Sequence, residues 1–333
     1  MVDWNGLFKW SMAYQDGTQQ SQFKPMSEED RKWLEAAMKQ YTFNDTDRLK
    51  EVCGELAAPA LEKGKLLDLL DELLELVELH VHNSLNLCVC GGMQTLLDIA
   101  FQSPVEEARR AALGVFAFAN QNNTEVQQLT FNMGALNLMH QYVKESDARN
   151  REAVVSGLSA FLRGINTDGK RAFLAGYDGL GFLRQALLEA QAHGLLRLSK
   201  KLVMLLYDLI VNDELILHQG NPRYLRLTVG SDPEFLVCFG RFLKEGSLSD
   251  YQWHDLRESV LLILEELAKV RRLEPDLRPA LDQLRAAAEA KIKENPASDF
   301  NEMLQKEIQL VDRVVAAQAY EAPQQKPQLL AIA

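Results

Sequence analysis

Apolar positions recur at helical spacing in stretch after stretch of this chain. The run from Glu106 to Met139 shows it most fully. Ala112, Leu113, Phe116, Ala117 and Ala119 have the spacing of a helix with two buried sides. Asn120, Asn122 and Asn123 then supply turn chemistry that stops it. The same plan returns downstream. Gly92-Met-Gln-Thr-Leu-Leu recurs as Gly134-Ala-Leu-Asn-Leu-Met 42 residues on, and as Gly179-Leu-Gly-Phe-Leu 45 further. Residues 109–119 align likewise with 151–161 and 199–209.

Intervals of ~40–47 with only helical content mark armadillo or HEAT units. One such unit cannot bury its apolar face alone, whereas stacked units form a continuous core and one extended concave surface. The pattern therefore predicts an all-α fold: an armadillo-like α-solenoid, a right-handed superhelix of helical repeats.

Taken in order, Trp4, Leu7, Phe8, Trp10 and Met12 form a short apolar motif, and Gln15 to Gln22 a polar linker. Residues 1–26 thus read as a flexible segment. Ser27-Glu-Glu-Asp30 is a capping-box variant opening a helix over Arg31–Tyr41. Asp45–Leu56 is a second helix. Lys65–His82 reads as one long closing helix of an incomplete first repeat, so that 27–90 form an N-terminal cap. Repeats occupy 91–270, with closing helices at Val105–Asn120, Arg149–Arg163 and Leu195–Val211, and Asp232–Lys244 with Asp255–Val270 as a less regular fourth unit. Short helices at Glu125–Asn132 and Gly169–Leu174 bridge the units. Helices Leu281–Lys293 and Ser298–Ala317 make a C-terminal extension over 271–320, and 321–333 is a loose tail.

Charge narrows the partners. With 36 basic and 47 acidic residues the net charge is −11, which argues against a nucleic-acid backbone as ligand. No apolar run reaches the ~18 residues of a membrane span. The first residues have no apolar core of a signal peptide, and the expectation is a cytoplasmic protein, with the nucleus also open to it. Four cysteines in 333 residues do not make a disulfide framework.

Catalytic and metal chemistry find little support. His80-x-His82 followed by Cys88-x-Cys90 has residue types suited to zinc, but not the usual Cys-x-x-Cys spacing. Val81 and Leu87 belong to an apolar pattern, so buried structural cysteines are expected and no metal site is assigned. No nucleophile elbow or phosphate loop is present, and Gly176–Phe182 has no strand before it. No catalytic residue and no cofactor is expected.

The repeat alignment also divides the closing helices into faces. Leu113, Phe116 and Asn120, with Val155, Leu158 and Leu162, and Val203, Leu206 and Ile210, are assigned to the core. The opposite stripe is smaller or more polar: Ala111, Phe118 and Asn122; Ala153, Ala160 and Gly164; Lys201, Asp208 and Asn212. Small residues with an isolated aromatic and a few charges suit a surface packed on a protein partner.

Several stretches resemble a known family, the Fes-type (heat-shock-protein-70-binding-protein) armadillo nucleotide exchange factors. They are Asp3-Trp-Asn-Gly-Leu-Phe-Lys-Trp-Ser-Met12, Ser27 to Trp33, Leu69 to Leu73 with Asn83, Asn86 and Gly91-Gly92, Arg109 to Asn123, and Leu158 to Arg163. The likeness covers roughly residues 3–215. It implies a monomeric co-chaperone whose concave face embraces the nucleotide-binding domain of a cytosolic heat-shock protein 70 and releases ADP. By position it implies contacts at Ser84 and Lys201, with Asn86, Gln121, Asn122 and Arg163 in the matching motifs. It also implies that the segment holding Trp4, Leu7, Phe8 and Trp10 helps displace substrate from the chaperone; the other reading of these aromatics is that they fold back on the first repeat as a cap. The alternative is a general armadillo adaptor. Import-type adaptors repeat a Trp-x-x-x-Asn pair on every closing helix, and here only Phe116-x-x-x-Asn120 comes near it.

Overall fold

A computed structural model describes residues 27–41, 45–143, 148–164, 166–212, 223–271 and 277–319. The aromatic motif at 4–12, the linker at 15–22, Asn221-Pro222 and the tail from 321 lie outside them. The chain divides into two units, 1–45 and 46–333. In the first, helix α1 spans Glu28–Tyr41. Ser27 caps it: the Asp30 amide donates to Ser27 Oγ at 3.0 Å, and that hydroxyl donates to Asp30 Oδ2 at 2.6 Å. Acidic Glu28, Glu29 and Asp30 then sit against the positive end of the helix dipole.

The second unit contains the solenoid. Among the described residues, helices α2 (Asp45–Leu56) and α3 (Lys63–Leu79) precede four repeats of three helices each. The first repeat is α4 (Val81–Val89), α5 (Gly92–Gln102) and α6 (Glu106–Asn120). The second is α7 (Thr124–Asn132), α8 (Ala135–Val143) and α9 (Ala148–Leu162). The third is α10 (Thr167–Arg171), which runs into a π-helical turn over Ala172–Gly176, followed by α11 (Gly179–Ala192) and α12 (Leu196–Val211). The fourth is α13 (Tyr224–Ser231), α14 (Pro233–Lys244) and α15 (Tyr251–Ala268). A helical pair, α16 (Leu277–Glu294) and α17 (Asn301–Ala319), closes the array. All regular secondary structure among the described residues is helical, and none of these helices is long and apolar enough by itself to cross a membrane.

The closing helices α3, α6, α9, α12, α15 and α17 pack side by side in chain order. In the layer behind them α5 meets α8, α11 meets α14, and α14 meets α16. The short helices α4, α7 and α10 stack on one another at the turns. They are therefore the first helices of their repeats rather than bridges between repeats. The expected single helix over 65–82 is broken: His80 is extended (φ −143°, ψ 126°), and α4 starts at Val81. Helix α4 then meets α5 at 83°. Helix α13, which starts at Tyr224, was not evident in the sequence.

Two glycine roles explain the turns. Gly91 and Gly134 adopt left-handed φ of 82° and 78° between first and second helices, and Asp178 takes that place in the third repeat with φ 47°. Gly92 and Gly179 instead allow close packing, since a Cβ on either would lie 2.3 Å from Cys53 Sγ or 2.6 Å from Phe173. The sequence alignment of Gly92 with Gly134 thus pairs two different jobs, one residue out of register.

All nine positions assigned to the core face are buried, including Leu113, Phe116 and Asn120. Each large aliphatic or aromatic side chain buried this way contributes about 1.5–3 kcal/mol. The metal-like cluster divides: Leu87 and Cys88 are buried, Val81 is 81% exposed, and the Cys88 thiol is pushed up to about 11 by burial. Among the described residues no group of three or more His, Cys, Asp or Glu is arranged to hold a metal.

Polar side chains from the first helices α4, α7 and α10 hold the ends of α3, α6 and α9. Asn83 Nδ2 donates to Leu76 O at 2.7 Å. Gln127 Nε2 lies 3.0 Å from Asn120 O, 2.9 Å from Ala160 O and 3.2 Å from Arg163 O, joining the ends of α6 and α9. Asn166 Nδ2 donates to Phe161 O at 2.8 Å, and Lys170 Nζ donates to Gly164 O. Thr130 Oγ1 donates to Asn120 Oδ1 at 2.8 Å, while Asn120 Nδ2 donates to Phe116 O. Burial holds the Lys170 ammonium below the usual lysine range. These bonds answer the unpaired carbonyls that every helix C-terminus presents. Gln127→Leu keeps the apolar stem but removes the donor from three carbonyls. It should cost about 1–3 kcal/mol in urea denaturation, with little change in helicity.

At the C-terminal end a buried charge cluster joins α15 to α17. Glu307 Oε1 accepts from Arg257 Nε at 2.8 Å and lies 2.6 Å from His254 Nδ1. His254 Nε2 faces Leu248 O at 2.9 Å, and all three side chains are buried. Glu307→Ala would strand the Arg257 guanidinium. It should destabilise by about 3–5 kcal/mol and raise hydrogen exchange across α16 and α17 first.

Candidate functional site

The closing helices bury one face in the core and leave the other open. Across α3, α6, α9 and α12 this open face forms a groove with two adjoining hollows of 380 and 640 Å³, which share Gly114, Ser156 and Lys201. Its floor is made of small side chains, among them Ala117, Ser159 and Ala160, because bulky residues at these helical positions face the core instead. Phe118 and Met204 stand out of the floor, 39% and 36% exposed.

The polar groups are held in place. Arg163 Nε donates to Asp208 Oδ2 at 2.7 Å, bridging the end of α9 to α12. Lys201 Nζ donates to Ser156 Oγ and lies 3.5 Å from Glu152 Oε1. These bonds fix the side chains one repeat apart, yet each is partly exposed and worth ~1 kcal/mol or less to stability.

Of the sequence-derived residues, the larger hollow's neighbour gathers Phe118, Gln121, Arg163 and Lys201, with Asp208 attached through Arg163. Gln121 is the C-cap of α6, and Asn122 follows it in the left-handed region at φ 56°, exposed. Asn212 caps α12, its Nδ2 donating to Asp208 O at 2.7 Å. Ala111 is half-buried against the core and lines neither hollow.

Ser84 and Asn86 are elsewhere. Asn86 is half-buried and donates weakly to Thr46 Oγ1 at 3.4 Å. Ser84 is only 4% exposed, so it is not an open groove position. Ser84, Gln127 and Lys170 succeed one another at intervals of 43 residues, and all three are buried in the first helices of their repeats. Ser84 thus occupies the junction position rather than the partner surface.

Sequence reasoning missed the basic rim at the N-terminal ends of the closing helices. Arg110, Arg149 and Arg197 line the larger hollow together with Lys201, against a single carboxylate, Glu152. Arg149 and Arg197 were findable: they lie 48 residues apart, one repeat, and one turn before Ala153 and Lys201 of the aligned stripe. Phe116-x-x-x-Asn120 is no ligand ladder, since both side chains are fully buried.

A second cavity of 440 Å³ lies between α9, α11 and the turn before α11. His140, Tyr177 and Phe182 line it, and the Arg151–Glu189 ion pair at 2.8 Å crosses it.

No protein-family model matches this sequence, and no curated protein does. Solved structures do. A designed armadillo repeat protein in complex with the peptide (KR)4 is similar at 15% identity and TM-score 0.55, over 81% of this chain and 99% of that one. A computationally designed armadillo repeat protein for modular peptide recognition has 14% identity and TM-score 0.55, over 81% and 99%. A structure from work on a phosphorylation switch between cadherin and beta-catenin has 15% identity and TM-score 0.53, over 89% of this chain and 57% of that one. The fold is armadillo-like.

A buried position and a groove position should respond oppositely to charge. Ser84→Arg places an unpaired cation at the first repeat junction and should lower stability by several kcal/mol, or prevent folding. Lys201→Glu, half-exposed, should leave the urea midpoint close to the parent's, within about 1 kcal/mol.

Proposed function

We propose that this protein is a cytosolic co-chaperone that speeds ADP release from a heat-shock protein 70 by clamping its nucleotide-binding domain in the concave groove. The observation that carries the reading is the gathering of Phe118, Gln121, Arg163 and Lys201 on one open face, drawn from stretches that resemble the exchange-factor family. An exchange factor needs no catalytic group of its own. It acts by binding the open form of its partner more tightly than the closed form, which shifts the partner's population. A half-exposed aromatic among small residues and fixed charges suits such a docking surface.

The rival reading, a general armadillo adaptor, draws on the similar structures, one a designed armadillo repeat protein in complex with a peptide and one from work on the cadherin–beta-catenin interaction. Stopped-flow release of a fluorescent ADP analogue separates the two. Excess protein should accelerate release, and Phe118→Asp with Lys201→Glu should weaken that effect by about tenfold or more. No acceleration with any cytosolic heat-shock protein 70 of the same organism would exclude the exchange-factor reading and leave the adaptor.

A further inference from the structure

The groove carries a charge opposite to that of the whole chain. The net charge is −11, yet four cations and one carboxylate line the larger hollow. The carboxylate, Glu152, is already met by Lys201 at 3.5 Å. Arg110 donates to Asn150 Oδ1 at 3.2 Å and forms an ion pair with Glu106 at 3.7 Å, which together orient it over the hollow. Arg149 and Arg197 are exposed and have no ion pair among the described residues. Both also line an adjoining hollow of 250 Å³ with Leu195, Leu196 and Leu198. Several exposed arginines elsewhere are matched, Arg313 with Glu265, Arg278 with Asp282 and Arg285 with Glu289, while among the described residues Arg241 stands exposed and alone on α14 with no second cation beside it from a neighbouring closing helix.

We propose that this rim, Arg110, Arg149 and Arg197, receives an acidic, extended segment of a partner protein. The proposal rests on the groove being the docking surface and does not depend on the partner being a chaperone. Three features select the occupant. The cations come from three successive closing helices, so they span two interhelical steps of about 8–10 Å each. An extended chain covers that distance in about six residues, which sets the length of acidic segment that can touch all three. Gly114, Ala153 and Ser156 beneath them leave room for a main chain to approach. The surrounding negative charge repels a long polyanion, whereas a short acidic stretch confined to the hollow meets only the local positive field. Two of the cations, Arg149 and Arg197, are guanidinium groups with no ion pair among the described residues, and guanidinium binds carboxylate through paired hydrogen bonds.

The test uses the full chain and fluorescence anisotropy. The probe is a fluorescein-labelled octapeptide of alternating Glu and Gly, compared with its Gln–Gly counterpart and with a ten-nucleotide oligothymidine as competitor. Arg149→Ala with Arg197→Ala removes two rim charges at exposed positions. Arg278→Ala with Arg285→Ala removes the same charge from α16 as a control. The acidic peptide should bind in a salt-sensitive way, at least about tenfold more tightly than the Gln peptide, and the rim variant should lose about tenfold while the control does not. Four results overturn the proposal: no binding up to about millimolar peptide, equal affinity for the Gln peptide, equal loss in the control, or unchanged affinity in the rim variant. Displacement of the peptide by a lower concentration of oligothymidine would also overturn it, by assigning the rim to a phosphate backbone. ADP release is measured separately, so either proposal can fail without the other.

Discussion

The closing helices α3, α6 and α9 end against the following repeat, whose side chains must supply donors for their last carbonyls. That requirement shapes the solenoid. A helix terminus leaves four carbonyls unpaired, and burying one without a partner costs about as much as losing a hydrogen bond. Here the donors come from the first helix of the following repeat: Asn83, Gln127, Asn166 and Lys170 each reach back to a preceding helix end. Gln127 reaches two such ends at once. Apolar packing between repeats is non-directional, so it tolerates sliding. These bonds do not, and they fix how far each repeat is displaced from the last.

The groove follows from that regular displacement. Closing helices set in sequence, each with its bulky side turned inward, leave their opposite sides aligned. Residues one repeat apart then become lateral neighbours, as Arg163 and Asp208 or Lys201 and Ser156 do. A surface of this kind can carry a charge pattern unrelated to the overall charge, because each helix contributes only one or two positions to it. The three rim arginines lie toward the N-terminal ends of the helices, while Phe118 and Met204 share the other hollow with the ion-paired Arg163, so unmatched charge and exposed apolar surface are separated along the groove.

The solenoid was legible in the sequence because helical apolar spacing and a repeat interval are both one-dimensional signals. The core face of α6, α9 and α12 could be read residue by residue for the same reason. What failed involved a change of direction. The break at His80 lies inside a continuous apolar rhythm, with no proline or glycine to announce it, so two helices read as one. The register of the glycines slipped because Gly91-Gly92 offers two candidates for one turn, and only φ separates them. Ser84 was misplaced because a small polar residue looks the same whether it faces a groove or a repeat junction. Its spacing of 43 residues from Gln127 was available, but only the buried bonds of Gln127 and Lys170 give that interval its meaning. The basic rim was overlooked because the stripe was drawn from the helix middles and stopped one turn short.

The buried cluster of His254, Arg257 and Glu307 has a bearing on how such a chain can change its length. Repeat arrays grow and shrink by duplication, since a new unit offers each neighbour the surface it already expects. Units joined by apolar stripes and helix-end bonds meet that condition. The boundary between α15 and α17 does not: Arg257 is fully buried, and among the described residues its carboxylate partner comes from the terminal helix. A unit inserted there would separate the two charges and leave each buried without its counter-ion. Gain or loss of repeats is therefore confined to the part of the chain before α15, and the last three helices are inherited as a block.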